Sequence, residues 1–406
     1  MSEQLVERGR AALACAFDEM PVLAAIRDEV GETRPLAGAT IAGCLHLTKE
    51  TGVLIELLHD AGAEIAWTGG DEVSTQNDVA AALREGGVAV YGRRGMTTEQ
   101  VNAEIVRTLA HHADGPTIII DNGARLIRGA LDDLDRYPAL SFATEKTTEG
   151  CADLRLIARN RELPFPIFLV NDVVTKWEMD NTYGTGQSAL DGILRATGKL
   201  IAGKAFVVCG YGHVGRGVAM RAAGQGARVI VCCRSAATAV RATLDGFHVL
   251  SLEQAIAQAD FLCTATGKPE IVKAEHLAFA KDGAILCNAG YSVTEIDVSG
   301  LEAMAVESTE ITDLVRRYVL ADGRRINLIG RGGLVNLAAA TGNPSEVMDV
   351  TFANQVLAVL AGAKMPSLKP GLHEVSEEQD ECVALRKLAA MGVRCDAPGF
   401  QKRKGA

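Results

Sequence analysis

Short apolar runs alternate with segments of helical periodicity along the first part of the chain. Residues 40–46 read as a buried strand, and residues 49–61 then repeat apolar positions every three or four residues. The same alternation recurs up to residues 117–121. Continuous apolar strands between helices are typical of a parallel sheet that is covered on both faces. Such sheets place ligand groups at the carboxyl ends of their strands, where His46 and Asp121 fall.

A second alternation begins at Ser188 and predicts a second domain of the same kind. The predicted elements are a helix over 188–197, strands at 204–209, 227–232, 261–264 and 284–287, and a later helix over 346–361. The predicted boundaries are 1–185 for the first domain, 186–343 for the second, 344–370 for a return helix that completes the first domain, and 371–406 for a C-terminal segment. We therefore expect an α/β protein with two doubly wound parallel sheets and a short C-terminal segment.

Composition narrows the class of protein. The 406 residues carry 41 Lys and Arg against 51 Asp and Glu, which gives a formal net charge of −10. This acidic balance argues against nucleic-acid binding, which needs a surplus of cationic side chains. There is no run of about 20 apolar residues to span a membrane, and no signal-peptide layout. The 10 cysteines lack metal-type spacing. We expect a cytoplasmic protein with reduced thiols and no metal, nucleic-acid or membrane partner.

The strongest local motif follows the first strand of the second domain. Gly210, Gly212 and Gly215 form a G-x-G-x-x-G pattern between that strand and a predicted helix. The first glycine permits a tight turn, the second lets the backbone approach a pyrophosphate, and the third lets helix and strand pack closely. His213 and Val214 begin the helix whose terminal N–H groups bind phosphate. In this context the motif predicts a Rossmann dinucleotide-binding domain.

The end of the next strand lacks the acidic residue that NAD sites usually carry there. Cys233, Arg234 and Ser235 occupy this place, and Thr238 follows one turn later. Arg234 and Ser235 fit the 2′-phosphate of NADP. The alternative is a solvated Arg234 beside an NAD that is held mainly by its pyrophosphate. The four residues are cofactor-binding candidates under either interpretation.

Six segments resemble the S-adenosylhomocysteine hydrolase family and occur in the same order as in that family. They are residues 42–48 (AGCLHLT), 74–76 (STQ), 171–176 (NDVVTK), 180–184 (DNTYG), 201–204 (IAGK) and 332–337 (GGLVNL). The resemblance extends from about residue 36 to residue 398. It implies a substrate domain, an NAD-binding domain and an oligomerisation role for residues 371–406. It also implies a homo-oligomer, either a tetramer or a dimer.

The family's reaction uses its cofactor as an internal hydride carrier. NAD oxidises the ribose at C3′, the ketone acidifies the C4′ proton, and loss of that proton expels the 5′ substituent before water adds and the ketone is reduced again. By the resemblance, Lys176 handles the 3′-hydroxyl proton, Asp180 orients the ribose and the lysine, and His46 is the acid or base at the 5′ position. Asp121 is the fourth catalytic candidate.

The resemblance also implies binding residues. Thr48 and Glu50 match residues that read the adenine edge, although alone they would pass as an ordinary helix N-terminus. The further substrate-binding candidates are Asn122, Lys146, Tyr291 and Asn343, and the further cofactor-binding candidates are Thr147, Thr148, Asn181, Ala289, Gly290 and Asn336.

Several positions near the reacting sugar depart from the family pattern. Asn122 stands where the family has a second aspartate, and Lys146 stands where it has a second glutamate. Tyr291 and Asn343 replace two histidines. Residues 401–404 lack the family's tyrosine, which reaches a neighbouring subunit's cofactor. Because an amide cannot act as a base, we expect His46 to work largely without an acidic partner.

These departures favour an enzyme retooled for another adenine nucleoside. We expect it to oxidise the 3′-hydroxyl with bound NAD, expel the 5′ substituent and reduce the ketone without rehydration, as a nucleoside dehydratase or lyase of specialised metabolism. Lys146 favours a sugar that is altered near C1′ or C2′. One alternative is authentic S-adenosylhomocysteine hydrolysis with relocated acids and bases. The other is a non-catalytic paralogue that binds a nucleotide and regulates a partner.

Overall fold

The computed structural model describes residues 2–396, and the chain divides into two compact units. Unit 1 contains the residues up to Met179 and those from Ser345 onward, and unit 2 spans Asp180–Pro344. The first boundary falls inside a π-helical segment, Trp177–Thr185, somewhat before the expected boundary at 185/186. The expectation for residues 401–404 lies outside the described residues.

Helices and strands alternate through both units in chain order. Unit 1 opens with α1 (Glu3–Asp18), α2 (Pro21–Gly31), β1 (Thr40–Cys44), α3 (Lys49–Asp60), β2 (Glu64–Thr68), α4 (Asn77–Glu85), β3 (Ala89–Val90), α5 (Thr98–Leu109), β4 (Ile118–Asp121), α6 (Arg125–Asp132), β5 (Phe142–Glu145), α7 (Thr148–Asn160), β6 (Pro166–Leu169) and α8 (Val174–Lys176). Unit 2 contains α9 (Gly186–Thr197), β7 (Ala205–Cys209), α10 (His213–Gly224), β8 (Arg228–Cys232), α11 (Ala236–Leu244), β9 (His248–Val249), α12 (Leu252–Ile256), β10 (Phe261–Thr264), α13 (Ala274–Leu277), β11 (Ala284–Asn288), α14 (Val298–Met304), β12 (Ala305–Thr312), β13 (Val315–Leu320), β14 (Arg325–Ile329) and α15 (Val335–Ala338). The chain returns to unit 1 with α16 (Ser345–Ala363), β15 (Gly371–Glu374) and α17 (Glu377–Ala390).

Unit 1 is built on a sheet of seven strands in the order β15-β6-β5-β4-β1-β2-β3. Every neighbouring pair in it is parallel. Alternate strand residues belong to two separate apolar clusters, with Ile41 and Ile65 in one and Ala42 and Ile119 in the other. Both faces of the sheet are therefore covered, which confirms the doubly wound arrangement expected from the continuous apolar strands.

Unit 2 is built on a sheet of eight strands in the order β12-β13-β14-β11-β10-β7-β8-β9. The strands from β14 to β9 are parallel, whereas β13 runs antiparallel to both β12 and β14. The parallel part confirms the predicted fold class. The β12–β13 hairpin was not predicted, because β12 is exposed along nearly its whole length and lacks the apolar run of a buried strand. Within residues 2–396, no helix has both the length and the apolar character needed to cross a lipid bilayer.

The C-terminal residues complete unit 1 through one strand and one buried ion pair. β15 extends the first sheet beside β6, within the C-terminal segment 371–406 for which no strand was predicted. Asp349 of α16 is fully buried, and its carboxylate accepts hydrogen bonds from the backbone N–H groups of Val22 and Leu23 at 3.2 and 2.9 Å. Lys387 of α17 donates to the same carboxylate at 2.9 Å. One side chain thus joins three helices. An oligomerisation role for residues 371–406 stays a prediction.

Replacing this carboxylate is expected to destabilise unit 1. In an Asp349→Asn variant the amide NH₂ would face donors, and the half-buried Lys387 ammonium would lose its anion. We expect the free energy of unfolding to fall by about 3 kcal/mol. Glu346→Gln, on the exposed part of the same helix, is the matched control and should change it by less than about 0.5 kcal/mol. Urea unfolding measures both, and equal stabilities for the two variants would contradict this account of Asp349.

Candidate functional site

Each sheet reverses its strand order at one point, and the candidate residues lie there. In unit 1, β1 is paired with β4 on one side and β2 on the other. His46 follows β1, and Asp121 ends β4. In unit 2, β7 lies between β10 and β8, and Gly210 follows β7. Open parallel sheets bind ligands outside the carboxyl ends of the strands at such a point. Each unit therefore presents its candidate residues at the ligand position of its fold.

His46 has an acidic partner on the neighbouring strand. Its Nδ1 atom lies 2.5 Å from Oδ2 of Asp71 and 3.0 Å from Oγ of Ser74. Asp71 follows β2, which is paired with β1. Its other oxygen, Oδ1, accepts hydrogen bonds from the backbone N–H groups of Val73 and Ser74 at 2.7 and 2.6 Å. The ring is therefore anchored by a carboxylate that the backbone itself holds in place.

The Asp71 carboxylate stays ionised in this setting. Burial alone would raise the pKa of Asp71, but the His46 ring and the hydrogen bonds from His46, Ser74 and Val73 outweigh burial and hold that pKa well below its usual range. The expectation that His46 works largely without an acidic partner is wrong. Sequence reasoning missed Asp71. The available signal was its position in the chain, because Asp71 follows the second strand, as His46 follows the first, and lies just before the Ser74-Thr75-Gln76 segment.

Two further carboxylates, Asp121 and Glu145, end the neighbouring strands β4 and β5 in register. Both are fully buried. Burial and the nearby Glu145 charge raise the pKa of Asp121 to about 8, and burial raises the pKa of Glu145. The pair therefore retains a proton near neutral pH. Their backbone donors are Asn122 N and Ile127 N for Asp121, and Gly123 N, Ala124 N and Thr147 N for Glu145.

These two buried acids organise the loops that carry Asn122 and Lys146. Asn122 is 3% exposed and Lys146 is 9% exposed, and Lys146 Nζ lies 5.2 Å from the centre of the Phe352 ring. Thr147 donates its hydroxyl to Glu145 at 2.6 Å and caps α7. The observed contacts of Asp121 suit a group that positions a loop. Its predicted catalytic role and the predicted cofactor contact of Thr147 stay predictions.

Lys176 is a buried lysine whose amino group is held by an amide. It is 3% exposed, and its Nζ donates to Oδ1 of Asn171 at 2.9 Å. Thr148 donates to the same oxygen at 3.3 Å, and Asn171 donates to Asp172 at 3.1 Å. Asn171 lies in the short turn directly after β6, so the sheet fixes the position of the lysine. Asn171 is a further site residue that the sequence did not single out.

The predicted base-reading residues occupy the start of α3. Thr48 is the N-cap residue and Glu50 lies in the first turn, 2% exposed. Oε1 of Glu50 accepts from the Ser345 hydroxyl at 2.8 Å and lies 2.9 Å from Lys49 Nζ. Lys49 also donates to Ser345 Oγ at 2.7 Å. A buried carboxylate, an ammonium group and a hydroxyl therefore lie side by side at this end of the helix.

The glycine turn of unit 2 has the geometry of a phosphate site. Gly210 adopts a φ of 99°, and a Cβ on Gly215 would lie 2.1 Å from the Gly210 carbonyl oxygen. These two positions therefore need glycine. A Cβ on Gly212 would meet no heavy atom within 4 Å. Gly212 is the N-cap of the 12-residue helix α10, so open space lies against the helix N-terminus, as a bound pyrophosphate requires.

Other groups of unit 2 support the dinucleotide site. Asn336 is 6% exposed, and its Oδ1 has no hydrogen-bond partner among the described residues. An unfilled acceptor of this kind fits the amide or hydroxyl donors of NAD. Glu295, which sequence reasoning missed, is fully buried and accepts from Thr266 and Gly267 at the end of β10. A Cβ on Gly290 would lie 1.9 Å from Glu295 Oε1, so this close approach requires glycine.

The remaining cofactor candidates of unit 2 and the substrate candidate Tyr291 follow strands β7, β8 and β11, except Asn181, which lies in the π-helical segment. Arg234 is exposed, and Ser235 caps α11 by accepting from Thr238 N at 3.4 Å. Ala289 directly follows β11 and is buried. Cys233, Asn181, His213, Val214 and Tyr291 are half-buried.

Asp180 and Asn343 are directly hydrogen-bonded within unit 2. Asn343 donates from Nδ2 to the Asp180 carboxylate and, at 3.2 Å, to the Asp180 carbonyl oxygen. Its Oδ1 accepts from the Ser188 hydroxyl at 2.8 Å and from Asn336 at 3.5 Å. Asn343, which stands where the family pattern has a histidine, thus forms hydrogen bonds through both its amide nitrogen and its amide oxygen. Its predicted substrate contact stays a prediction.

The parallel sheet and glycine turn of unit 2 define a dinucleotide-binding domain, and the comparison with known families agrees. Residues 181–342 match the family described as "S-adenosyl-L-homocysteine hydrolase, NAD binding domain", and residues 2–136 match "S-adenosyl-L-homocysteine hydrolase". The chain belongs to the S-adenosyl-L-homocysteine hydrolase family, and its cofactor is NAD. The family resemblance inferred from the motifs is confirmed.

Curated relatives cover nearly the whole chain. An adenosylhomocysteinase from Aeropyrum pernix is 45% identical over 97% of this chain and 94% of its own length. One from Archaeoglobus fulgidus is 46% identical over 93% of each chain. An S-inosyl-L-homocysteine hydrolase from Methanopyrus kandleri is 45% identical over 97% of this chain and 92% of its own. Among solved structures, a dipicolinate synthase chain from Bacillus halodurans aligns with a TM-score of 0.49 and 14% identity. The alignment covers 82% of this chain and 100% of that one.

The open space at Gly212 yields a direct test of the cofactor site. Gly212→Ala should leave the fold intact but place a methyl group where the pyrophosphate approaches, so NAD affinity should fall about tenfold or more. Gly224→Ala, in the last turn of the same helix and also free of close neighbours, is the matched control and should bind NAD normally. Calorimetric titration of cofactor-stripped protein measures both. Equal NAD affinity in the two variants would remove Gly212 from the phosphate site.

Proposed function

We propose that this chain hydrolyses S-adenosylhomocysteine, or a close purine analogue, to the nucleoside and homocysteine, with NAD that is reduced and reoxidised within each turnover. The observation that carries the proposal is the buried Lys176 amino group, held by Asn171 at 2.9 Å. A lysine fixed in this way has a defined geometry for handling the proton of a sugar hydroxyl. The retained lysine and the glycine turn together argue against a non-catalytic paralogue.

Bound NAD would be held by the Gly210–Gly215 turn and Asn336, and it would supply a reversible hydride acceptor for C3′ of the sugar. The chain's own residues do the rest. Lys176 takes the 3′-hydroxyl proton as the ketone forms, and Asp180 orients the ribose. His46 transfers the proton of the 5′ leaving group and, in the second half of the reaction, the proton of the attacking water. The Asn122 and Lys146 loops, organised by Asp121 and Glu145, form part of the sugar site.

Hydrolysis replaces elimination without rehydration as the favoured reaction. The dehydratase hypothesis rested on His46 lacking a partner that could help it activate water. Asp71, ionised and 2.5 Å from the ring, removes that reason. A nucleoside dehydratase remains a second candidate, since buried Lys146 and Asn122 change the charge of the sugar site relative to the family pattern. An altered sugar or leaving group would account for both changes.

The base is proposed to be adenine. Glu50 is buried at the start of α3 and offers a carboxylate acceptor for the exocyclic amino group of adenine. Lys49, 2.9 Å from that carboxylate, also offers a donor, and one relative is named for an inosyl substrate. Comparing S-adenosyl- and S-inosylhomocysteine as substrates therefore belongs in the first experiment. We also propose a cytoplasmic homo-oligomer, whose subunit number light scattering would measure.

The experiment is to mix purified protein with S-adenosylhomocysteine and follow free thiol together with the near-ultraviolet absorbance of the reduced nicotinamide. Multiple-turnover release of thiol with formation of adenosine supports hydrolysis. Reduction of the nicotinamide by adenosine, without thiol release from S-adenosylhomocysteine, supports the dehydratase instead. A protein that shows neither signal with any purine nucleoside would contradict both proposals.

Removing the Lys176 amino group should stop the first chemical step. Lys176→Met keeps the buried apolar stem, so we expect NAD to remain bound while its reduction by nucleoside slows about 10²–10⁴-fold. Lys199→Ala, at an exposed position just beyond α9, is the control and should behave as the unmodified protein does. Stopped-flow absorbance measures the rate. Unchanged reduction in Lys176→Met would exclude Lys176 from the mechanism.

A further inference from the structure

The carboxylate beside His46 comes from one side of β1, and the position expected to supply it lies on the other side. β1 is flanked by β2 and β4. Asp71 follows β2, whereas Asn122 follows β4 and cannot serve as an acid or base. Both positions lie at the carboxyl edge of strands that pair with β1. An acidic group can therefore reach the neighbourhood of His46 from either flank.

We propose that Asp71 is the positioning residue of His46 in this chain and takes the place of the carboxylate that is absent at position 122. This inference rests on the proposed function and deepens it. Asp71 accepts a hydrogen bond from the Nδ1–H group of His46, which fixes the tautomer and leaves Nε2 as the nitrogen that exchanges protons with substrate. Asp71 does not itself touch the substrate. It acts through the ring, as the carboxylate of a catalytic triad does.

The hydrogen bonds of Asp71 explain why the carboxylate is needed there. Oδ1 accepts from two backbone N–H groups, Val73 and Ser74, which no side-chain change removes. Oδ2 accepts from His46 Nδ1 and, at 2.6 Å, from the Ser74 hydroxyl. In an Asp71→Asn variant the amide oxygen must face the two backbone donors. The NH₂ group then faces His46, so Nδ1 becomes an acceptor and the ring proton moves to Nε2.

The proton balance of the 5′ chemistry shows what this tautomer change does. In elimination a base other than His46 takes the C4′ proton, the C5′–sulfur bond breaks, and the departing sulfur takes a proton from Nε2 of protonated His46. In hydration the water oxygen bonds to C5′, water gives a proton to Nε2, and the same base returns the proton to C4′. Nε2 must therefore alternate between donor and acceptor while Nδ1 keeps its proton. An amide that donates to Nδ1 blocks this cycle, whereas oxidation at C3′ does not use His46.

The test separates these two steps in one protein. We expect Asp71→Asn to slow thiol release from S-adenosylhomocysteine about 10²-fold or more, while nicotinamide reduction stays within about twofold of the native rate. Ser74→Ala is the matched control, since Asp71 then keeps His46 and both backbone donors. It should slow thiol release by less than about tenfold. Adding Asn122→Asp to the Asp71→Asn variant should recover part of the lost rate by restoring a carboxylate on the other flank.

A measurement that does not depend on turnover completes the test. ¹⁵N NMR of histidine-labelled protein, with the His46 signal assigned from a His46→Gln variant, should show the neutral ring protonated on Nδ1 in the native protein and on Nε2 in Asp71→Asn. The same tautomer in both proteins would overturn the inference. So would equal losses of both chemical steps, or undiminished thiol release in Asp71→Asn. Failure of the proposed function is seen separately, as a native protein that has the expected tautomer but releases no thiol.

Discussion

Parallel hydrogen bonding between strands is the constraint on which the candidate site depends. Because neighbouring strands of the first sheet run in the same direction, their carboxyl ends meet at one edge. His46, Asp71, Asp121 and Lys146 each lie at or just beyond the end of a different strand of that sheet. None of these residues is close to the next in sequence, yet the sheet brings them to one edge. The same constraint in unit 2 places the glycine turn after β7 and Gly290 after β11 at one edge of the second sheet.

Buried carboxylates then turn that edge into a defined site. The buried carboxylates of Asp121, Glu145 and Glu295 accept hydrogen bonds from backbone N–H groups of the loops that follow the strands, and so does the half-buried carboxylate of Asp71. Burying these acids without such donors would cost several kcal/mol each, so each acid is stable only when its loop adopts the observed conformation. The loops in turn present Asn122, Lys146 and the cofactor edge. In both units, therefore, the loop conformation that presents the candidate residues is also the one that supplies hydrogen bonds to a carboxylate.

The sequence predicted those features that depend on local pattern. The apolar run of β1, the helix after it and the Gly210–Gly215 turn all leave a short-range signal, and their positions are confirmed. Features that depend on pairing between distant segments could not be seen. Asp71 bonds His46 across 25 positions because β1 and β2 are paired in register. Its place after a strand was visible in the sequence, but the pairing of that strand with β1 was not. β15 was missed because it is short and only half-buried at the sheet edge.

We propose that this chain retains a complete catalyst at the 5′ carbon, with His46 held by Asp71, and therefore adds water as well as removing the leaving group. The most direct measurement is mass spectrometry of the nucleoside formed from S-adenosylhomocysteine in ¹⁸O-labelled water. If water adds to C5′, the adenosine should carry one ¹⁸O atom at the 5′ position for each homocysteine released. A released nucleoside that contains a 4′,5′ double bond and no ¹⁸O would contradict it and would restore the dehydratase hypothesis.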